Sequence, residues 1–403
     1  MKSRCGGPVH AELPLSGITV ISCEQAVAAP FASRQLADLG ARVIKIERPG
    51  TGDFARGYDT TVNGMASHFV WLNRNKESLS LDLKHPQGKA ILKSLVAEAD
   101  VFIQNFAPGA AERLGFGADD LRGTNDRLIY ASISGYGPDG PYKNAKAYDA
   151  LVQAEAGLVS VTGTEDHPAK TGISTADISA GMYTYSGILT ALFNREKTGE
   201  GATLQISLFD SLVEWMGYPL YFTHGSGTRP TRAGTSHAAI APYGAFTCGD
   251  GTQIMLAIQN EREWKSFATQ VLGRDDMVTD ERFDRAAHRY AHRDELQTII
   301  EAVFADFTGA QCDELLETAK VAHSRQRDMT EIADHPQLVE RDRWQDVGSP
   351  VGPISMLVPP VEMSGVEPRM DPIPDVGDHT ESILGDLGIS TEKVAELHRE
   401  GAI

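Results

Sequence analysis

The chain has 403 residues, of which 41% are hydrophobic and 23% are charged, and this length and composition are typical of a folded, water-soluble protein with more than one domain. Its formal net charge of −18 argues against a nucleic-acid-binding protein and against attachment to an anionic membrane surface. An anionic ligand would therefore need a local group of basic side chains.

The N-terminal third alternates predicted strands and helices. Residues 17–24 (GITVISCE) and 41–48 (ARVIKIER) are rich in β-branched residues, and the helical segment between them has Pro30 in its first turn. Further strands are predicted within 77–83, 100–106 and 128–137. Strands that alternate with helices at this spacing indicate a parallel sheet. The fold class predicted is therefore α/β, with a Rossmann-like open parallel sheet.

The second half of the chain changes in character. Helical spacing over 183–195 is followed by a predicted strand and helix, and then by a Gly/Thr/Pro-rich stretch and a hairpin around 249–251. We predict a large domain beginning at residues 1–210, a linker and a smaller α+β domain at 211–335, and a helical C-terminal return to the large domain at 336–403.

Several classes of site are not supported by the sequence. Cys5, Cys23, Cys248 and Cys312 have no C-x-x-C spacing, so neither disulfides nor a zinc site are expected, and no other metal motif is present. The glycine-rich nucleotide motifs and the G-x-S-x-G motif are missing. The N-terminus has no apolar signal segment, and no apolar run approaches the ~18 residues that span a bilayer. We expect a cytoplasmic protein.

Basic residues follow four of the predicted strands. Arg48, Lys84, Arg113 and Lys146 lie at or just beyond strand ends, where open α/β sheets bind their ligands. Each residue alone is typical of a solvated surface charge, but the four together favour an anionic ligand.

Two aspartates that precede predicted helices each have two interpretations. Asp149 and Asp177 each precede a segment with helical spacing, and Asp is a favoured N-cap residue. Asp177 lies in STADISAGM, whose small residues would also let a bulky ligand approach a carboxylate. Capping and chemistry both remain open on these grounds.

Five stretches of the chain together resemble one known family. They include ITVISCEQAVAAPFASRQLADLGARVIKIERPGTGD, NRNKESLSLDLKHPQGK, ADVFIQNFAPGAAERLG, ASISGYGPDGPY and STADISAGMYTYSGILTAL. They are similar to the successive motifs of the class III CoA-transferases, the family of formyl-CoA transferase, carnitine CoA-transferase and α-methylacyl-CoA racemase. The resemblance extends from about residue 14 to the C-terminus.

The resemblance implies two domains in an interlocked homodimer, with coenzyme A as a substrate and no tightly bound cofactor. It places the CoA site at Ala26, Val27, Ala28, Arg48, Leu81, Lys84, Asn105, Arg113 and Lys146. The family's glutamine in the first strand-end loop is Val27 here, with Gln25 nearby.

The resemblance also assigns the chemistry. Asp177 matches the aspartate that attacks an acyl-CoA thioester and carries CoA as an aspartyl thioester. Tyr148 stands where the racemase branch has its histidine base, and a phenol with a pKa of ~10 is a poor base at neutral pH. This favours a transferase, with Tyr148, Asp149, Gln25, Arg229 and His237 positioning the substrate.

The expected substrates are acyl-CoA thioesters and small carboxylic acids. The motifs most resemble those of family members that act on C4 to C5 dicarboxylates, including mesaconyl-CoA, itaconate, citramalate and malate. An α-methylacyl-CoA racemase and a non-catalytic acyl-CoA-binding protein are the alternatives. Exchange of CoA, exchange of the α-proton, or binding without turnover would distinguish the three.

Overall fold

The structure is a computed structural model that describes residues 13–403. Within this range the chain forms eleven strands and seventeen α-helices, with short 3₁₀ and π turns between them. The strands are β1 (Thr19–Cys23), β2 (Arg42–Glu47), β3 (Lys76–Ser80), β4 (Val101–Gln104), β5 (Ile129–Ser134), β6 (Thr203–Ser207), β7 (Tyr243–Thr247), β8 (Gln253–Ala257), β9 (Ala322–Arg325), β10 (Trp344–Val347) and β11 (Ile354–Leu357).

The helices fill the connections between these strands. They are α1 (Ala28–Asp38), α2 (Ser67–Leu72), α3 (Pro86–Glu98), α4 (Ala110–Leu114), α5 (Ala118–Arg122), α6 (Asp149–Glu155), α7 (Leu158–Val161), α8 (Thr175–Thr198), α9 (Leu208–Trp215), α10 (Gly217–Ser226), α11 (Glu261–Ser266), α12 (Ala286–Ala291), α13 (Arg293–Phe304), α14 (Gly309–Thr318), α15 (Pro336–Val339), α16 (Thr380–Asp386) and α17 (Thr391–Glu400).

Six strands form one parallel sheet in the order β3-β2-β1-β4-β5-β6. In β1, one of the two central strands, Ile21 pairs with Ile44 on one side and with Phe102 on the other. These three side chains are buried, because helices cover both faces of the sheet, as is usual for parallel sheets. The predicted α/β class and parallel sheet are confirmed.

Each face of the sheet has its own apolar core. One core joins the sheet to α1, α8 and α9, and the other joins it to α3 and to the C-terminal helices, through residues such as Ile383 and Leu397. Local signals explain where helices begin. Pro86 is the first residue of α3, and the imidazole of His85 accepts a hydrogen bond from the Gln87 N–H.

The described residues divide into two compact units. The first contains residues 13–158, Thr171–Tyr218 and Val339–Ile403, and the second contains Val159–Lys170 and Pro219–Leu338. The sequence did not indicate that residues 159–170 pack with the second unit. The domain boundaries at 210 and 335 stay a prediction.

The second unit is built on the antiparallel sheet β7-β8-β9. The predicted hairpin is present, with Gly251 at a φ of 83°, where glycine is the preferred residue. Helices α11, α13 and α14 pack on this sheet around a core that includes Trp264, Phe267 and Phe304.

Two expectations from the sequence concern cysteines and membranes. Cys23, Cys248 and Cys312 are buried and form no disulfide, whereas Cys5 lies outside the described residues. No helix between residues 13 and 403 combines the length and the apolar character that crossing a bilayer requires.

Candidate active site

The predicted CoA-binding residues follow the carboxyl ends of the parallel strands. Arg48 follows β2, Lys84 follows β3, Arg113 lies in α4 after β4, and Lys146 follows β5. Since the strands are parallel, these positions lie at one edge of the sheet. All four side chains are exposed, and none of them forms an ion pair with any residue of 13–403. The four cations are therefore available to an anionic ligand.

Leu81 and Asn105 occupy different environments from the basic residues. The Leu81 side chain is 1% exposed and belongs to the core, so only its backbone is available to a ligand. The Asn105 side chain accepts a hydrogen bond from the Gln25 N–H (3.0 Å) and donates one to the Gln25 carbonyl (2.8 Å). Asn105 therefore holds the β1–α1 loop in place through the backbone of Gln25.

The β1–α1 loop, residues 24–28, has an unusual backbone. Ala26 has a φ of 63°, in the left-handed region that residues with a side chain rarely adopt, and its N–H donates to the Asp53 carboxylate at 3.1 Å. Val27 is the uncapped N-cap residue of α1 and is buried. Within the described chain, the N–H groups of Val27, Ala28 and Ala29 have no acceptor, so the donors at this buried helix start are unpaired.

Asp177 is not the N-cap of its helix. Helix α8 begins at Thr175, earlier than the spacing predicted, with Ser174 as its N-cap, so Asp177 is the third helical residue. Its side chain is only partly exposed. In the described part of the chain no group donates a hydrogen bond to its carboxylate.

The small residues around Asp177 have a packing role. Ala176, Ser179, Ala180 and Gly181 are all buried, and Ala176 and Ala180 share a core with α1. A Cβ on Gly181 would lie 2.8 Å from the Ala28 carbonyl oxygen. These small residues let α8 approach α1 closely, and our interpretation that they also leave Asp177 open to a ligand stays a prediction. Residues one turn apart share a helix face, so Asp177 lies beside the start of α1.

Asp149, rather than Asp177, acts as a helix cap, and it caps α8 instead of its own helix. It is the first residue of α6, and its Oδ1 accepts hydrogen bonds from the N–H groups of Ala176 (2.8 Å) and Asp177 (3.4 Å). Its Oδ2 accepts from Nε2 of Gln153 at 2.7 Å. Both oxygens are thus engaged within the protein, which leaves Asp149 poorly placed to bind substrate directly.

Asp149 also alters the acidity of Asp177. Burial and the nearby negative charge of Asp149 raise the pKa of Asp177 from 3.8 to about 7. The start of a helix normally favours an ionised carboxylate, but here desolvation and like-charge repulsion are stronger. A carboxylate that ionises with difficulty and has no internal partner is typical of a functional group.

Two tyrosines lie in the surroundings of Asp177. Tyr148, the N-cap residue of α6, is 68% exposed. Tyr58 was missed by sequence reasoning, yet burial and the charges of Asp53 and Asp177 raise its pKa, and its ring makes an edge-to-face contact with His68 at 5.5 Å. No motif in the sequence distinguishes Tyr58 from a surface aromatic residue.

The remaining predicted residues lie in the second unit. Arg229 forms an ion pair with Glu165 at 2.8 Å. The neighbouring Arg232 donates to the backbone carbonyls of Ser160, Thr164 and Glu165. Neither guanidinium is free to bind a carboxylate without losing these contacts.

His237 has a different setting in the same unit. It stacks on Tyr243 at 5.1 Å, and its Nδ1 accepts from the Ala239 N–H. It lines a cavity of about 450 Å³. Nothing in residues 13–403 groups three or more potential metal ligands.

Comparison with known proteins identifies the family. Residues 15–380 match CoA-transferase family III. The chain belongs to this family. It is 35% identical over 362 residues to acetyl-CoA:oxalate CoA-transferase of Acetobacter aceti, covering 89% of this chain and 92% of that protein. It is 32% identical over 397 residues to human succinyl-CoA:glutarate CoA-transferase, covering 97% and 90% of the two chains.

Solved structures agree with this assignment. A CaiB/BaiF family protein from Brucella suis superposes with a TM-score of 0.84 at 31% sequence identity, covering 93% of this chain and 100% of that one. The chain is therefore a class III CoA-transferase, an enzyme that moves CoA between an acyl-CoA thioester and a carboxylate.

Proposed function

We propose that Asp177 is the nucleophile of this CoA-transferase and that a short dicarboxylic acid is its acceptor. The observation that carries the proposal is the state of the Asp177 carboxylate, which lies beside the β1–α1 loop, accepts no hydrogen bond from residues 13–403, and has a pKa of about 7. Near neutral pH a substantial fraction of this carboxylate is ionised and able to attack.

The reaction proceeds through two covalent intermediates on Asp177. A carboxylate oxygen of Asp177 attacks the thioester carbonyl carbon, the C–S bond breaks, and CoA leaves as the thiolate with a mixed anhydride behind it. The thiolate then attacks the aspartyl carbonyl carbon, which releases the first acid and forms the aspartyl-CoA thioester. The acceptor carboxylate attacks this thioester and repeats both steps in reverse, which restores Asp177.

Each step forms a tetrahedral oxyanion that needs hydrogen-bond donors. Gly181 of α8 packs against Ala28 and Phe31 in the first turn of α1, where the unpaired N–H groups are found. We assign them this role, together with contacts to the CoA thioester from Ala26 to Ala28.

The exposed cations bind the phosphates of CoA in this proposal. Arg48, Lys84, Arg113 and Lys146 lie at one edge of the sheet and form no ion pair within the described part of the chain, and arginine suits bidentate phosphate contacts. Replacing Arg48 and Lys84 together with alanine is expected to raise the KM for acyl-CoA by about tenfold or more, with little change in kcat. An unchanged KM would remove these residues from the CoA site.

The acceptor is proposed from the motifs and from the relatives. Relatives with about a third of their residues identical are named for oxalate and glutarate, which are both dicarboxylates. The resemblance to transferases for mesaconyl-CoA, itaconate, citramalate and malate favours a C4 to C5 acid. His237 and the cavity beside it are the candidates for contact with the distal carboxylate, and Arg229 joins them if its pair with Glu165 opens.

The test is a transfer assay with a panel of CoA thioesters and these dicarboxylates. Asp177→Ala is expected to lose at least about 10³-fold in kcat, whereas Asp119→Ala, an exposed aspartate in the first turn of α5, serves as the matched control and keeps full activity. Conversion of mesaconyl-C1-CoA to the C4 isomer without added acid would identify an intramolecular enzyme. Full activity in Asp177→Ala would overturn the proposed nucleophile.

The interlocked homodimer is also a proposal. Large apolar side chains are exposed on α8 and α10, among them Phe193 (65%) and Tyr221 (75%), and a second copy of the chain would cover them. Light scattering is expected to give twice the chain mass of 43.6 kDa at micromolar concentration. A monomer under these conditions would contradict the dimer.

A further inference from the structure

Four charged side chains with no solvent exposure meet beneath the β1–α1 loop. Glu24 follows β1, Lys45 lies in β2, Lys76 begins β3, and Asp53 precedes the 3₁₀ turn Phe54–Gly57. The ammonium group of Lys45 lies 2.8 Å from Asp53 and 3.3 Å from Glu24, and that of Lys76 lies 2.6 Å from Glu24. We call these four residues the buried ion network.

The network is balanced in charge and in hydrogen bonds. It contains two carboxylates and two ammonium groups, and the second oxygen of Glu24 accepts from the hydroxyls of Ser22 and Ser33. Burial alone would raise the pKa of Glu24, but the charges of Lys76 and Lys45 outweigh this and lower it to about 2. Charges that are buried at this cost are expected to serve a purpose besides stability.

Asp53 connects the network to the β1–α1 loop. Its Oδ2 accepts from Lys45, while its Oδ1 accepts from the N–H groups of Ala26 (3.1 Å) and Ala55 (2.9 Å). Ala26 is the residue with a left-handed backbone, which a side chain disfavours. The hydrogen bond to Asp53 therefore helps to hold a loop conformation that this sequence would not adopt readily by itself.

We infer that Asp53, oriented by Lys45, is a positioning residue for CoA transfer, because it fixes the backbone of Ala26 and so aligns the start of α1 beside Asp177. The inference rests on the proposed function, in which this loop contacts the thioester that Asp177 attacks. A merely structural role would require only that the buried charges be paired, whereas the positioning role requires an acceptor for the Ala26 N–H.

The opposite end of β1 offers a matched control. There Asp100 accepts from the Thr19 N–H at 2.8 Å and from Arg195 at 2.9 Å, so it combines an ion pair with a backbone hydrogen bond, as Asp53 does. Thr19 begins β1 and Ala26 follows its end, so the control pair lies at the edge of the sheet away from Asp177.

The test compares two charge-balanced double variants, K45M/D53N and K45M/D53A. Both remove one positive and one negative charge and leave Glu24 paired with Lys76, but only the asparagine retains an acceptor for the Ala26 N–H. We expect kcat to be about 10- to 100-fold lower in K45M/D53A than in K45M/D53N, since small misplacements of reacting groups are costly. Their thermal midpoints are expected to lie close together. In the control, R195M/D100N and R195M/D100A are expected to have equal kcat.

The inference would be overturned if K45M/D53N and K45M/D53A had equal kcat. It would also be overturned if R195M/D100A lost as much kcat relative to R195M/D100N as K45M/D53A loses relative to K45M/D53N. If K45M/D53A does not fold, the single substitutions Asp53→Asn and Asp53→Ala answer the same question, because Lys45 still faces Glu24. The proposed function fails separately, through full activity of Asp177→Ala. If Asp177→Ala is inactive and the Asp53 variants are equally active, Asp177 stays the proposed nucleophile and the positioning role of Asp53 is rejected.

Discussion

Asp177 and Glu24 are both carboxylates withdrawn from solvent in the same unit, and their acidities differ widely. Glu24 is fully buried, yet Lys76 and Lys45 lower its pKa to about 2. Asp177 keeps some exposure, but burial and the nearby charge of Asp149 raise its pKa to about 7, and no cation in residues 13–403 offsets them. Burial raises the pKa of both carboxylates, and the neighbouring charges decide whether the net shift is upward or downward.

The difference indicates a division of tasks. The buried ion network has its charges and hydrogen bonds satisfied within the protein, which is suited to holding a fixed geometry. The first turn of α8 leaves one carboxylate unsatisfied, which makes it reactive and reduces stability. Substitutions in the two regions are therefore expected to act in opposite directions.

The largest change in the free energy of unfolding is expected in the buried ion network. Glu24→Gln leaves two buried ammonium groups facing one carboxylate, and breaking such a group costs about 3–5 kcal/mol of unfolding free energy. Glu24 has a lowered pKa, so its contribution is present above pH 4.5 and is lost as the pH falls toward 2. Urea unfolding at pH 7 and at about pH 3 measures this. A change below 1 kcal/mol at pH 7 would show that the network is not needed for stability.

At Asp177 a substitution is expected to raise the free energy of unfolding instead of lowering it. Its pKa is raised in the folded protein, so the wild type loses stability as the pH rises from about 4 to 7, while Asp177→Asn does not. After allowance for its partial exposure, we expect Asp177→Asn to be more stable by about 1–3 kcal/mol at pH 8. The gain should vanish at pH 4. Asp119→Asn is the control, and a destabilised Asp177→Asn would contradict the comparison.

A smaller effect is expected from Asp149→Asn. The amide oxygen still accepts from the Ala176 N–H, but the like charge is lost, so the pKa of Asp177 falls. In the wild type, kcat/KM should rise with pH up to about 7, because the ionised carboxylate attacks. The variant should shift this rise by about one pH unit toward acid. Burial keeps the pKa of Asp177 well above 3.8 in this variant. An unchanged pH profile of kcat/KM would exclude Asp149 as a cause of the raised pKa.

Much of the fold follows from the sequence because its signals are local. The β-branched strands, Pro86 at the start of α3 and the hairpin at Gly251 are all determined by backbone chemistry within a few residues. The family resemblance and the strand-end cations are likewise readable without coordinates. The alternation of strands and helices along the chain likewise predicts the parallel sheet, although not its number of strands.

The details of the site depend on contacts distant in sequence. Asp149 caps a helix that begins 26 residues later, and Gly181 is small because of Ala28, so neither role has a local signal. One signal was available for the buried ion network. Lys45 and Lys76 lie in strands of a parallel sheet, where both faces are normally apolar, and charges at such positions indicate buried partners.

The most direct measurement of the central claim is peptide mapping of the enzyme by mass spectrometry. The enzyme is incubated briefly with succinyl-CoA, or with the best donor of the panel, and quenched in acid. We predict CoA in thioester linkage to Asp177 in the wild type and no adduct in Asp177→Asn. CoA linked to another carboxylate, or turnover with no adduct at any time, would contradict the assignment of Asp177 as the nucleophile.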